Sequence, residues 1–200
     1  MSTLFYINLH KALVIPLVIA LMCWYHNGSP EAFLYLSMHG TYSLLWLYKE
    51  ATFPDQRFAK QIPPVWVGWL LIFLPLAGYY AAPWLLISRH MVAPPWLMGV
   101  VVAIFTWGVF LHYVADAQKF YTLRLQKGLI QDGLFRHSRN PNYLGEILIY
   151  LAFALLAQHW LPFVVLAGWC VYFLRNMRLK DRSLARHPEY AAYRARSRLL

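Results

Sequence analysis

The sequence has few cysteines and few charged residues, and these shortages narrow the range of possible functions. Cys23 and Cys170 are the only two cysteines, and both lie in apolar runs, which argues against a disulfide framework and a cysteine-based metal site. The eight histidines have no spacing typical of a metal site. Only 13% of the residues are charged, and no long polar region could form a separate soluble domain. We therefore expect one domain without a metal ion.

Apolar residues dominate the chain. Hydrophobic residues make up 60% of the sequence and aromatic residues 18%, which is typical of an integral membrane protein. The first apolar segment could be a signal peptide, but no small-residue cleavage site follows it, and we interpret it as a helix. The sequence predicts an all-α polytopic membrane helical bundle, a single domain over 1–200. It should have about six membrane segments, at 11–25, 32–48, 65–82, 95–115, 143–158 and 160–174.

The last two segments are predicted to form a helical hairpin. At about 1.5 Å per residue, a helix over 143–158 reaches roughly 24 Å, which is short of the roughly 30 Å hydrocarbon core. Gln158 and His159 then offer a tight turn. The hairpin would nearly cross the membrane and return, and it would end in a basic cytoplasmic tail.

Basic residues are distributed unevenly. Of the 18 Lys and Arg residues, which outnumber eight acidic residues, 13 lie between Lys119 and Arg198. The positive-inside rule and attraction to anionic lipids explain such a bias, and binding of a cofactor phosphate is a compatible second explanation. If the N-terminus is cytoplasmic, every basic cluster lies on one side. We therefore predict a protein of the bacterial inner membrane with both termini in the cytoplasm. These basic residues flank membrane spans, which argues against nucleic acid as a partner.

The stretch 133–146 is predicted to join a basic loop to the start of an apolar helix. Asn140 can cap this helix through its side-chain oxygen, and Pro141 suits the first helical position. Arg136 and Arg139 lie at the same end, where free N–H groups and the helix dipole favour anions. Asn142 and Glu146 are four residues apart and should share one face. This end of the helix is a candidate cofactor site.

Polar residues elsewhere in the apolar segments allow two interpretations each. Asp116, at the inner end of the fourth segment, could pair locally with Lys119 or form a polar wall for a cofactor, and Arg124 follows on the same side. His39 and Tyr42 are three residues apart in the second segment. They could donate a proton to a carbonyl, or they could make a hydrogen bond between helices.

The tail also allows two interpretations. Arg175, Arg178 and Asp181 should continue the last helix into water. Basic residues three apart on one helix face could close over an anionic ligand, or they could be solvated charges beside the lipid headgroups.

Two short stretches carry a family resemblance that covers about 111–198. Arg-Asn-Pro-Asn-Tyr-Leu-Gly at 139–145 resembles a superfamily of membrane enzymes. It includes steroid 5α-reductases, sterol reductases, isoprenylcysteine carboxyl methyltransferases and phospholipid methyltransferases. Asn-Tyr-Leu-Gly-Glu at 142–146, with Ala-Asp-Ala-Gln-Lys at 115–119, is most similar to the steroid 5α-reductase-like (DUF1295) proteins.

The resemblance implies a cofactor half at about 111–200 and a substrate half at about 1–110. In the reductases, the positions matching Asn142, Glu146 and Asp116, with an arginine of the tail, contact NADPH. By similarity, His39 and Tyr42 would face the substrate as catalytic residues. The predicted cofactor-binding residues are Asp116, Lys119, Arg124, Arg136, Arg139, Asn142, Tyr143, Glu146, Arg175, Arg178 and Asp181.

Three functions are compatible with these observations. The first is an NADPH-dependent reductase of an activated C=C bond in a lipid-soluble, steroid- or isoprenoid-like substrate, and the arginines favour it because NADPH is a polyanion. The second is an S-adenosylmethionine-dependent methyltransferase acting on a lipid or prenylated substrate. Those enzymes usually carry a Glu-Glu pair in the tail, where this chain has Arg-Leu-Lys-Asp-Arg at 178–182. The third is a non-catalytic membrane protein that keeps the fold.

Overall fold

The computed structural model describes residues 1–59, 61 and 64–200, and the described residues form helices joined by short links. Within this part of the chain there are no strands, and two isolated bridges join Ser2 to Gln61 and Ser138 to Arg198. The predicted all-α class is therefore confirmed. The long helices are α1 (Thr3–Trp24), α2 (Pro30–Thr52), α6 (Pro95–Leu125), α7 (Pro141–Ala157) and α8 (Trp160–Leu184). The shorter ones are α3 (Val65–Gly68), α4 (Leu74–Ala77), α5 (Ala81–Ser88) and α9 (Tyr190–Arg196).

Among the residues that the structure describes, four stretches of helix are long and apolar enough to cross a membrane, which makes this an integral membrane protein. They are Thr3–Trp24, Val65–Ser88, Pro95–Leu125 and Trp160–Leu184. The helix α7 is apolar but has only 17 residues, as the predicted short arm of a hairpin requires. Polar side chains lower the hydropathy of α2, although many of them are buried against the other helices.

Two helices extend well beyond the apolar segments that predicted them. The segment predicted to end at 115 continues as α6 to Leu125, and the segment predicted to end at 174 continues as α8 to Leu184. Hydropathy marks only the part of a helix that lies in lipid, whereas Ala, Gln, Lys, Leu and Arg also favour helix in water. As a result, Asp116 lies well inside α6, and Asp181 lies on the continuation of the last helix, as predicted.

The third span, Val65–Ser88, is interrupted twice. A π-helical segment, Trp69–Phe73, separates α3 from α4, and a 3-10 turn, Gly78–Tyr80, separates α4 from α5. Pro75 lies between the interruptions and has no N–H group to complete the α-helical bonding. By contrast, α1 stays helical through Pro16.

The hairpin of α7 and α8 turns at the predicted position. Gln158 adopts a left-handed conformation with φ 48°, and its side-chain amide donates to the carbonyl of Val92 at 2.9 Å. His159 caps α8 by accepting the N–H of Leu161 at 3.1 Å. The turn is thus fixed by its own side chains as well as by the two helices.

Glycines allow α6 and α7 to pack very closely. A Cβ atom on Gly108 would lie 2.8 Å from the carbonyl oxygen of Gly145, and one on Gly145 would lie 2.6 Å from that of Gly108. Small residues at a membrane helix interface let the backbones approach in this way. The contact places the inner half of α6, with His112 and Asp116, beside the first turns of α7.

Asn140 does not cap α7 with its side chain, so this prediction was wrong. Pro141 is the first helical residue, as predicted, and Asn140 precedes it, but its side chain makes no capping bond. Its amide oxygen instead accepts from Lys180 at 3.0 Å, and its amide nitrogen donates to the carbonyl of Leu199 at 2.9 Å. Residues of the tail thus bind the side chain that the local sequence pattern had assigned to the cap of α7.

The placement of both termini in the cytoplasm stays a prediction, and cysteine labelling would test it. The links after α1 and α5 lie on one side of the protein, because the Asn27 amide donates to the carbonyl of Ile87 at 2.8 Å. In a variant without Cys23 and Cys170, an impermeant maleimide should label Gly28→Cys and Arg89→Cys in intact cells. Labelling of exposed Lys127→Cys should require permeabilisation, and its labelling in intact cells would overturn the topology.

Candidate functional site

A network of charged and amide side chains joins the inner ends of α2, α6 and α7. The Asn142 amide donates to a carboxylate oxygen of Asp116 at 3.3 Å, and the other oxygen of Asp116 lies 3.2 Å from Nζ of Lys49. Lys49 also donates to Glu50 at 2.6 Å. Lys49, Glu50, Asp116 and Asn142 are here called the inner polar cluster. The structure thus brings together two residues, Asp116 and Asn142, that are 26 positions apart and that the resemblance assigned to one cofactor.

Asp116 takes its partner from another helix. Local pairing with Lys119 was one interpretation of the sequence, but the ion pair that the described residues give Asp116 is with Lys49 of α2. Lys119 lies 3.7 Å from Asp55 in an ion pair of its own. Both contacts tie α6 to the inner end of α2.

Glu146 lies one turn deeper than Asn142 on the same face of α7, as the spacing predicted. Its side chain is partly exposed and interacts electrostatically with His112, Lys11, Asp116 and Lys49. His112 is buried, and its Nδ1 lies 3.1 Å from the backbone carbonyl oxygen of Asn142. Glu146 therefore connects the inner polar cluster to the residues buried deeper in the bundle.

Those deeper residues form a second group, the buried phenol cluster, which consists of Lys11, His39, Tyr42 and Tyr150. Nζ of Lys11 donates to the hydroxyl of Tyr150 at 2.9 Å and lies 3.9 Å from the centre of the Tyr42 ring. The His39 and Tyr42 rings are 6.3 Å apart, so these residues do share an inward face. All four side chains have 3% or less of their surface exposed.

Two polar atoms of the buried phenol cluster have no hydrogen-bond partner within the described part of the chain. They are the hydroxyl oxygen of Tyr42 and Nε2 of His39. Nδ1 of His39 is paired with the hydroxyl of Tyr35 at 2.8 Å, within the same helix. His39 is thus bonded within its own helix, whereas the Tyr42 hydroxyl lies near that of Tyr150 on α7, so a contact between helices stays the alternative to a catalytic role for Tyr42.

Sequence reasoning missed Lys11 and Tyr150. Lys11 was placed at the start of the first segment, whereas α1 begins at Thr3 and carries Lys11 two turns inside, where it is 3% exposed. A charged residue in a membrane helix is a signal for a functional site once the true helix start is known. Tyr150 gave no signal, because tyrosine is common in such segments.

Arg139 and Asp181, two predicted cofactor ligands, bind each other. Nε and Nη2 of Arg139 donate to the Asp181 carboxylate at 3.1 Å each, and Nη1 donates to the carbonyl of Ser197 at 2.6 Å. The backbones of 137–139 and Arg198 also pair, with bonds of 2.9 and 2.8 Å. These contacts hold the end of the tail against the start of α7.

Tyr193 of α9 completes the attachment of the tail. Its hydroxyl donates to the carbonyl of Phe135 at 2.7 Å. Burial raises the pKa of Tyr193 to about 12, so the phenol keeps the proton it donates at physiological pH. The attachment of α9 is therefore insensitive to pH near neutrality.

The other predicted ligands in the basic region are at the surface. Arg124, Arg136, Arg175 and Arg178 are exposed, and Arg124 lies 5.2 Å from the centre of the Phe120 ring. Within the described residues, Arg136, Arg175 and Arg178 have no ion pair or hydrogen bond through their guanidinium groups. Tyr143 packs its ring against Phe173, with centroids 5.0 Å apart. Lys180, which donates to the carbonyl of Arg139 at 2.6 Å, places this part of α8 beside the start of α7.

One family model matches this architecture over residues 72–197, which include α6, α7, the hairpin turn and the tail. Its description is "Protein of unknown function (DUF1295)". The chain belongs to the DUF1295 family. The steroid 5α-reductase-like resemblance found in the sequence is thereby confirmed.

Curated relatives of this DUF1295 protein match parts of the chain. It is 29% identical over 125 residues to "Steroid 5-alpha-reductase DET2" of Solanum lycopersicum, covering 60% of this chain and 46% of the relative. It is 38% identical over 72 residues to an uncharacterized protein of Schizosaccharomyces pombe, covering 36% of this chain and 25% of the relative. The chain spans less than half the length of these relatives. No solved structure matches it.

Proposed function

We propose that this DUF1295 protein is an NADPH-dependent reductase of an activated C=C bond in a lipid-soluble, steroid- or isoprenoid-like substrate. One observation carries the proposal. The Tyr42 hydroxyl and Nε2 of His39 are buried without a geometric hydrogen-bond partner among the described residues. They lie in the same bundle as α7, which carries Asn142 and Glu146 in its first turns, and Glu146 acts electrostatically on Tyr42. An unpaired buried polar group costs about 1–3 kcal/mol, so a carbonyl that reaches these groups would be bound there.

The residues at the inner face suit the two chemical parts of NADPH. Arg136, Arg175 and Arg178 are exposed and have no guanidinium partner among the described residues, so they can bind phosphates, as can the exposed Arg124 of α6. Asn142, Asp116 and Glu146 can accept and donate hydrogen bonds to ribose hydroxyls and to a carboxamide. The bound cofactor would supply the hydride.

Arg139 and Asp181 have a different part in this proposal. Because they bind each other, they hold the tail that positions Arg175 and Arg178 rather than touching the cofactor themselves. Tyr143 and Lys119 likewise support α7 and α6 through Phe173 and Asp55.

The chain's own residues would then act on the substrate from α2. His39 and Tyr42 would hydrogen-bond the carbonyl oxygen, so that the double bond conjugated with it becomes a better hydride acceptor. The surrounding apolar helices would exclude water from the reacting atoms. This assigns the substrate to the half at about 1–110 and the cofactor to the half at about 111–200. The name of the Solanum lycopersicum relative supports a reductase of this class.

A salt titration separates this proposal from methyl transfer. NADPH should bind through several charge-assisted contacts, so Arg178→Gln should weaken its binding about tenfold, and added salt should weaken it further. S-adenosylmethionine offers one carboxylate beside its own positive charges, and its binding would depend little on salt. Arg89→Gln, between α5 and α6, is the matched control and should bind NADPH normally.

The readout is NADPH and S-adenosylmethionine affinity on the same detergent-purified protein, followed by NADPH oxidation with cholestenone, an apolar enone. Tight, nearly salt-independent binding of S-adenosylmethionine without NADPH binding would establish the methyltransferase alternative instead. No binding of either cofactor would favour a non-catalytic membrane protein.

A further inference from the structure

We propose that Lys11 and Tyr150 form an acid pair that supplies the proton for the reduction, with Tyr150 as the catalytic residue and Lys11 as its positioning residue. This inference rests on the proposed reductase function and names the source of the proton within it. Tyr42 would orient the carbonyl oxygen of the substrate, and Tyr150 would protonate it.

The direction of one hydrogen bond leaves the proton of Tyr150 available. Nζ of Lys11 is the donor and the phenol oxygen of Tyr150 is the acceptor, at 2.9 Å. A phenol that accepts one hydrogen bond still has its own O–H to donate. The nearby Tyr42 hydroxyl acts on the phenol oxygen of Tyr150 as a donor as well, and the O–H of Tyr150 can still turn to a ligand.

The lysine is placed to stabilise negative charge on that oxygen. Nζ of Lys11 has no carboxylate within ion-pair distance among the described residues, and the acid that acts on it from further away is Glu146. Its other close neighbours are aromatic faces, with Tyr42 at 3.9 Å and Trp46 at 5.6 Å from the ring centres. Aromatic faces attract a cation without neutralising it. An ammonium held in this way stabilises a phenolate formed beside it.

The reaction balances with this pair as the acid. As the β-carbon of the enone accepts hydride, the C=C electron pair moves toward the carbonyl and negative charge collects on its oxygen. The O–H bond of Tyr150 breaks and an O–H bond forms on the substrate, which gives an enol and a phenolate beside the Lys11 ammonium. The enol then becomes the saturated ketone, and one proton from water restores the pair. The net reaction consumes the enone, one NADPH and one proton.

Glu146 and Asp116 would give that proton a route from the end of the bundle at which α7 begins. Glu146 interacts with Lys11 on one side and with His112 and Asp116 on the other. The side chain of Asp116 is 10% exposed at the inner polar cluster. Glu146 would therefore be the group that passes the restoring proton between Asp116 and the acid pair.

A binding experiment tests the phenol without turnover. Cholestenone has the carbonyl that Tyr150 would contact, and cholestene lacks it. Cofactor-free wild type should bind cholestenone more tightly than cholestene, and Tyr150→Phe should lower that preference about two- to tenfold, the effect of one hydrogen bond. Exposed Tyr48→Phe is the matched control and should keep the preference. An unchanged preference in Tyr150→Phe would overturn the proposal, as would equal binding of both probes by wild type.

The role of Lys11 is tested by the solvent isotope effect, a measurement that a purely structural role would leave unchanged. Lys11→Met should lower the rate of cholestenone reduction at least about tenfold and raise the solvent isotope effect, because proton transfer then limits the rate. NADPH affinity should stay at the wild-type value, Lys11→Arg should restore part of the rate, and exposed Lys127→Met should be normal. A lost rate with an unchanged isotope effect and no rescue by arginine would show that Lys11 is only structural. Failure of the proposed function has a different signature, which is the absence of NADPH binding in wild type.

Discussion

Asn142→Ala and Glu146→Ala should each reduce NADPH affinity by about 10- to 100-fold while the folded yield stays near that of wild type. Each variant removes a hydrogen-bonding group at the place where α6 and α7 approach most closely. A hydrogen bond involving a charged group contributes about 1.5–3 kcal/mol, and 2.7 kcal/mol corresponds to about 100-fold. Asn142 now donates to Asp116, which keeps its ion pair with Lys49 in the variant, so the fold should tolerate the change.

Isothermal titration or thermal-shift measurements with NADPH would check this result. Glu189→Ala, on an exposed residue of the tail, is the matched control for Glu146→Ala and should bind normally. Glu146→Gln keeps the size and one acceptor and should be less affected than the alanine variant. If both alanine variants bind NADPH like wild type, the cofactor does not occupy the inner polar cluster.

Arg139→Gln should have the largest effect on stability. Its guanidinium makes two contacts with Asp181 and one with the Ser197 carbonyl, and it is 7% exposed. Removing it leaves the Asp181 carboxylate, whose side chain is 15% exposed, without its charged partner. Loss of one member of a buried pair costs about 3–5 kcal/mol, and the partial exposure here reduces our expectation to about 2–4 kcal/mol.

The measurement is thermal unfolding in detergent together with limited proteolysis of the tail. Arg136→Gln, three residues earlier and exposed, is the matched control and should unfold like wild type. The double variant Arg139→Met with Asp181→Leu should recover part of the lost stability, because it leaves no unpaired charge. A proteolysis-resistant tail in Arg139→Gln would contradict the assigned role of the pair.

Local sequence patterns predicted the helices well and the contacts between them poorly. Composition and spacing were enough for the segments, the turn at Gln158 and the shared face of Asn142 and Glu146, because each depends on neighbouring residues. The Asp116–Asn142 contact came only from the resemblance, since its residues are far apart in sequence. Lys49 as the partner of Asp116 could not be predicted, because it depends on how α2 packs against α6.

The side-chain contacts of Asn140 and Arg139 were also missed, and for the same physical reason. Asn140 and Arg139 were interpreted from their position at a helix start, where capping and anion binding are common. In the folded chain, the tail returns and supplies Lys180, Asp181 and the backbone of 197–199, and these groups take the hydrogen bonds. A rule for isolated helix ends cannot include a partner that is some 40 to 60 residues later in the chain.

The interrupted third span determines how a lipid-soluble molecule can reach the buried phenol cluster. Tyr79, in the 3-10 turn, stacks on Tyr150 with ring centroids 3.4 Å apart, and this wall covers one face of the Tyr150 ring. A cavity of about 10 Å³, lined by Gly78, Tyr79 and Tyr150 among others, has room for about one water molecule and not for a ring system. The π-helical segment before α4 and the 3-10 turn after it interrupt the regular α-helical bonding, so this part of the third span is where the wall would open with the least loss of backbone hydrogen bonds. Under the proposed function, the membrane would be both the reservoir of the substrate and the direction from which it arrives, and the rate of reduction would follow the amount of substrate dissolved in the bilayer.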